Sequence, residues 1–118
     1  MDESTVIIKN FVNGFKDKGL HDVVLYGLGK NSKTILDSFS DFHCLGLMDG
    51  FQENGEYFGY PILSKEKVAE LHPEAIIIVA RKNSTRIIAK RIEEFCRTEK
   101  IALYDMEGED LLQENLLK

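Results

Sequence analysis

Val23-Val24-Leu25-Tyr26-Gly27-Leu28-Gly29-Lys30-Asn31-Ser32-Lys33-Thr34-Ile35-Leu36 is the stretch on which the fold turns. Its first four residues are an unbroken apolar run, the mark of a strand covered on both faces. Two glycines interrupt the run, and Ile35, Leu36 and Phe39 then follow at the i, i+1, i+4 spacing of a helix stripe. Three further solid runs repeat the strand half of the pattern: Cys44-Leu45-Gly46-Leu47-Met48, Ala75-Ile76-Ile77-Ile78-Val79-Ala80 and Ile101-Ala102-Leu103-Tyr104. Ile88, Ile92, Phe95 and Cys96 mark a helix over residues 84–97, and residues 65–71 predict a shorter one. Doubly covered strands joined by helical crossovers predict an α/β fold, a three-layer open parallel sheet with helices on both faces.

The flanks fit one unit spanning residues 1–118. Residues 5–18 predict a helix within the first 20 residues, with Ile7, Phe11 and Phe15 on one face; Gly14 works against it by about 1 kcal/mol relative to Ala. Gly19 is its expected stop. Tyr60-Pro61-Ile62-Leu63 reads as an extended segment at a sheet edge, because Pro61 has no N–H for a central ladder. The Leu111-Leu112 and Leu116-Leu117 pairs predict a helix over residues 108–118, docked on this domain or leading into a further part of a longer enzyme. Neither repeats nor low-complexity tracts mark a linker.

Composition narrows the function classes. Fifteen basic and twenty acidic side chains give a net charge of -5, which works against sequence-independent nucleic-acid binding, since that needs clustered cations. No apolar run approaches the roughly twenty residues of a membrane span. Met1-Asp2-Glu3-Ser4 lacks the basic and apolar regions of a secretory signal, so a cytoplasmic location is expected. Cys44 and Cys96 have no C-x-x-C spacing, and His21, His43 and His72 stand singly, which predicts packing and loop roles rather than a metal site.

The chemistry is expected beyond the carboxyl ends of the strands. Gly27-Leu28-Gly29-Lys30-Asn31-Ser32 is a G-x-G-x-x-S variant of the dinucleotide fingerprint. Gly27 permits the tight turn, Gly29 lets a phosphate approach the backbone, and the helix N-terminus presents N–H groups and partial positive charge to the anion. Ser32 replaces the third glycine, and its place on the Ile35 stripe predicts that it faces the sheet. Asp49, about twenty residues on, ends the next strand, where a carboxylate accepts from a ribose diol and repels a 2′-phosphate. Gly50 follows it. Ala80 and Arg81 leave the third strand at the same sheet edge, with Arg81 able to fork onto a phosphate. Asn83 or Ser84 is expected to cap the helix that follows. The plainer reading is that the glycines only shape a βα turn and Asp49-Gly50 only starts a loop.

Catalytic machinery is not visible. Tyr26 and Lys30 match a Y-x-x-x-K spacing, but that pair needs one helix to align both side chains, and here a glycine turn separates them. The sequence also lacks a G-x-S-x-G elbow and a Gly-Lys-Ser/Thr phosphate loop. A phospho-acceptor receiver would want acids where Tyr26-Gly27 stands.

Leu25-Tyr26-Gly27-Leu28-Gly29, Leu45-Gly46-Leu47-Met48-Asp49, Phe58-Gly59-Tyr60-Pro61-Ile62-Leu63 and Ile76-Ile77-Ile78-Val79-Ala80 together resemble a family of small Rossmann-type domains. These lie at the N-terminal side of bacterial surface-polysaccharide enzymes, nucleotide-sugar dehydratases and epimerases among them, and a similar domain precedes the β-helix of sugar acetyltransferases. The resemblance runs from about Asp22 to Asp105. It implies a module binding NAD or a nucleotide-sugar, with phosphate near Gly27 and Gly29 and ribose near Asp49, while the reacting groups belong to a C-terminal catalytic domain absent from this chain. The alternatives are an interaction or regulatory module with a degenerate, empty pocket, and a small NAD-dependent oxidoreductase. Homo-oligomerisation is left open.

Overall fold

The computed structural model describes residues 3–112. In chain order the elements are α1 (Glu3–Phe15), β1 (Asp22–Tyr26), α2 (Lys30–Ser38), β2 (His43–Met48), β3 (Glu56–Tyr57), β4 (Tyr60–Pro61), α3 (Lys65–Leu71), β5 (Ala75–Ile78), α4 (Lys82–Glu99) and β6 (Ala102–Asp105). Four strands form a sheet in the order β2-β1-β5-β6, all pairs parallel. Strands β3 and β4 make a separate antiparallel hairpin.

Because side chains alternate along a strand, each apolar run feeds two cores at once. Val23, Leu25, Ala75 and Ile77 pack on Phe11 and Phe15 of α1 and on Ile35 of α2. Val24, Tyr26, Ile76 and Ile78 pack on the other face against Val68 of α3 and Ile92 and Cys96 of α4. The result is the expected three-layer, Rossmann-like α/β fold, with α1 and α2 on one face and α3 and α4 on the other. A solid run such as Ala75-Ile76-Ile77-Ile78, fully buried throughout, is stable only in such a doubly covered position.

Both sheet edges are covered by the chain itself. At β2, Leu63 donates its N–H to the Leu47 carbonyl at 2.7 Å, which gives the Pro61-Ile62-Leu63 segment the edge position expected of it. At β6, Leu111 donates to Leu103 at 2.8 Å and Asp105 to Glu109 at 3.1 Å. These pairings occupy backbone groups that would otherwise invite another strand.

The termini differ from expectation. Helix α1 runs Glu3–Phe15 and stops before Gly19, which takes a left-handed φ of 67° in the connector. Gly14 has a packing role: a side chain there would collide with the Glu107 carbonyl, and one at Gly108 would lie 2.5 Å from the Gly14 carbonyl oxygen. The helix accepts a weak former so that the loop after β6 can seat directly on it. Residues 108–112 form a bridge and a turn rather than the start of a helix, because their amides and carbonyls are committed to β6. The remainder of the predicted C-terminal helix, residues 113–118, lies outside the described residues. No helix among the described residues is long and apolar enough to cross a membrane.

Candidate functional site

The strand order reverses between β1 and β5. The chain leaves β1 through α2 on one face to reach β2, and leaves β5 through α4 on the other face to reach β6. Ligands of open α/β sheets bind at the carboxyl ends of strands at such a point. Gly27 donates its N–H to the Met48 carbonyl at 2.9 Å, and Val79 donates to the Tyr26 carbonyl at 2.9 Å. The chain segments leaving β2, β1 and β5 therefore start side by side, which brings the glycine turn, Asp49 and Ala80-Arg81 to one sheet edge.

The two glycines of the motif have different reasons to be there. Gly27 has φ 140°, and a Cβ on it would lie 2.7 Å from the Val79 carbonyl oxygen. The fold itself requires that glycine. Gly29 has φ -85° and ψ -177°, ordinary extended backbone open to any residue, and a Cβ there would meet nothing within 4 Å. It is the N-cap residue of α2 and supplies no side-chain cap. The leading N–H groups of α2, which a helix cannot satisfy internally, therefore receive no side-chain cap from residue 29, and the space where such a cap would stand is open.

Ser32 behaves as its place on the stripe predicts. It is fully buried, and its hydroxyl donates to the Gly27 carbonyl at 2.8 Å, tying the turn to the helix it precedes. Leu28 packs at the rim of the α1/α2 core, while Lys30 is exposed and Asn31 half-buried. Asp49 follows β2, and its Oδ2 accepts the Phe51 N–H at 3.0 Å. Its other carboxylate lone pairs retain acceptor capacity.

The expected capping of α4 is corrected. The helix begins at Lys82, so Asn83 and Ser84 lie inside its first turn, where they are exposed and too late in sequence to cap. Arg81 is the N-cap residue and makes no side-chain cap bond. The hydroxyl that does work here belongs to Thr85, which donates to the Ala80 carbonyl at 3.2 Å.

Two cavities flank the glycine turn. One, of about 170 Å³ over β2 and β1, is lined by Asp49 and Gly50 and also by Tyr26, Glu53, Lys65 and Arg91. The other, of about 260 Å³ over β5 and β6, joins Ala80 and Arg81 to Lys82, Arg86, Asp105 and Glu107. Residues 27–32 line neither, so the candidate set divides into a central turn and two lateral clusters. In the smaller cavity a Cβ at Gly50 would lie 3.3 Å from both the Tyr26 hydroxyl and Arg91 Nη1, so phenol and guanidinium converge on that backbone. Burial, then the nearby Asp49 carboxylate, pushes the Tyr26 phenol above its usual range; Arg91 partly opposes this. Tyr26 thus stays a hydrogen-bond donor at neutral pH. Sequence reading missed Lys65, Arg91 and Glu53 because each comes from a different element; the only signal was Arg91 standing beside the buried Ile92.

Other reactive groups lie apart from this edge. Cys96 is buried, its thiol pushed up to about 11 chiefly by burial, and Cys44 is raised for the same reason, so neither offers a ready thiolate. His43 meets Asp22 at 3.3 Å at the amino ends of β2 and β1, and His72 ends α3. Among the described residues no three His, Cys, Asp or Glu side chains are placed to hold a metal ion. No protein-family model, curated protein or solved structure matches the chain.

Proposed function

We propose that the chain is a nucleotide-binding module that takes NAD or a nucleotide-sugar at the β1 turn. It is catalytically silent alone and serves a sugar-modifying or surface-polysaccharide enzyme whose reacting groups lie in a separate C-terminal domain. One observation carries the reading. Gly29 has no conformational or steric reason to be glycine, yet it leaves the α2 N-terminus without a side-chain cap at the topological switch point. A central phosphate would accept from those N–H groups. The ribose would donate to Asp49 on one side, and Arg81 would stand on the other, an order that suits an elongated ligand with phosphate at its middle. A second reading, an interaction module with an empty pocket, is favoured by the absence of residues 27–32 from both flanking cavities.

Thermal melting against NAD, NADP, UDP-sugars, coenzyme A and S-adenosylmethionine separates them. A ligand at a hundred times its dissociation constant stabilises the native state by about 2.7 kcal/mol, about 10 °C for a domain of this size. Gly29→Val fits the extended backbone at residue 29 and should abolish that response with little change in unliganded stability. A full response from this variant removes the turn as the site, and a flat melt with every nucleotide favours the interaction module. Asp49→Ala should weaken NAD more than NADP; equal losses remove the ribose assignment.

A further inference from the structure

Among the described residues Phe51 is 94% exposed, against 55% for the next most exposed large apolar residue, Ile87. A phenyl ring so fully in water gains nothing from the fold, yet the loop that carries it is well tethered. Its N–H is held by Asp49 Oδ2 at 3.0 Å, the Gln52 side chain donates to the Asn54 carbonyl at 3.2 Å, and the Gly55 carbonyl accepts from Ile62 at 2.9 Å. An ordered loop thus presents an unused aromatic surface two residues beyond the carboxylate assigned to ribose. The same loop starts beside the glycine turn, because Gly27 is bonded to Met48.

Resting on the nucleotide reading above, we propose that Phe51 is the platform on which the base of the bound nucleotide stacks, and that this selects a purine-bearing ligand over a pyrimidine one. In a nucleotide the base is joined to the ribose carbon next to the diol. A carboxylate holding the diol therefore leaves the base beside the residues just after it. Every base offers a π-face to an aromatic ring, and the larger purine covers more of it. Asp49 has two tasks in this arrangement: it accepts from the sugar and, through the Phe51 N–H, fixes the backbone that carries the platform.

Binding of ADP, UDP and ribose 5-phosphate to the wild-type chain and to Phe51→Ala tests this by calorimetry. Because the ring is exposed, the melting midpoint of the unliganded variant should not move. The variant should bind ADP roughly tenfold to a hundredfold more weakly, UDP with a smaller loss, and ribose 5-phosphate unchanged. Phe51→Trp places the sole tryptophan in a chain that has none, and its emission should fall on titration with ADP but not with ribose 5-phosphate. If ADP binds wild type and Phe51→Ala equally while Gly29→Val abolishes binding, the platform is wrong and the nucleotide reading stands. Equal losses for ADP and UDP overturn the purine assignment. If the wild-type chain binds none of the three, both readings fall together.

Discussion

Three helices begin at the carboxyl edge of the sheet, and they begin differently. Helix α3, beyond the outer strand, starts with Ser64, whose hydroxyl accepts the Lys67 N–H at 3.1 Å, and it carries Glu66 in its first turn. That is the ordinary solution to a helix start: a side-chain cap for a free N–H and an acid where the helix is partially positive. Helices α2 and α4 flank the reversal of strand order, and they do the opposite. Each lacks a side-chain cap and first-turn acids, and each starts with cations, Lys30 in one and Arg81-Lys82 in the other. A cation at a helix N-terminus is disfavoured by about 0.3–1 kcal/mol. The two helices that forgo these cheap stabilisers are the two whose ends meet at the switch point. The contrast argues for an anion-directed edge more strongly than the glycine pattern does.

The largest effect should come from the residue that aims α2. Gly27→Ala combines a positive φ with a Cβ 2.7 Å from the Val79 carbonyl oxygen. It should destabilise the fold by about 3 kcal/mol, about 12 °C in melting midpoint. Differential scanning calorimetry measures it directly. A loss under about 1 kcal/mol would mean the β1 and β5 ends can separate cheaply, and the rigid positioning of α2 over the crevice would go with it.

Those two glycines also mark how far sequence reading reaches. The apolar runs, residues 65–71 as a helix and Ser32 against the sheet were legible because a buried pattern with a fixed period leaves one arrangement. The pattern G-x-G made no distinction between a glycine the backbone needs and one it does not; that requires the Val79 carbonyl, some fifty residues away. Gly14 read as a weak helix former because its partner, the loop at Glu107-Gly108, is equally remote. Nor was the β3/β4 hairpin legible: its turn puts Phe58 at φ 59° and Gly59 at φ 80°, and a phenylalanine carries no signal for a left-handed position. The cavity around Tyr26 draws on β1, the β2 loop, α3 and α4, and no linear spacing records such a meeting.

Making α2 begin as α3 does should reverse its character. Gly29→Asp places a capping carboxylate at an N-cap residue whose φ and ψ already suit one. Unliganded stability should rise by about 0.5–1 kcal/mol. The ligand response, about 2.7 kcal/mol at a hundred times the dissociation constant, should vanish, because the new charge occupies the N–H groups and repels phosphate. A stabilised variant that still binds nucleotide would show that the uncapped end has no part in recognition. A destabilised one would show that the open space beside Gly29 is needed by the fold.

The converse substitution is the smallest and the most discriminating. Ser64→Ala strips α3 of its cap and should cost about 1 kcal/mol, roughly 4 °C in melting midpoint, the usual result for an N-cap whose bond is made. Because α3 starts behind the β2 edge and not at the switch point, the ligand-induced rise should keep its full size on the lowered baseline. Melting curves of this variant with and without NAD give both quantities from one sample. If uncapping α3 weakens the nucleotide response as much as capping α2 does, the two helix starts are coupled through the lateral cavity that holds Lys65 and Arg91. The contrast between them would then describe one site rather than a site and its structural control.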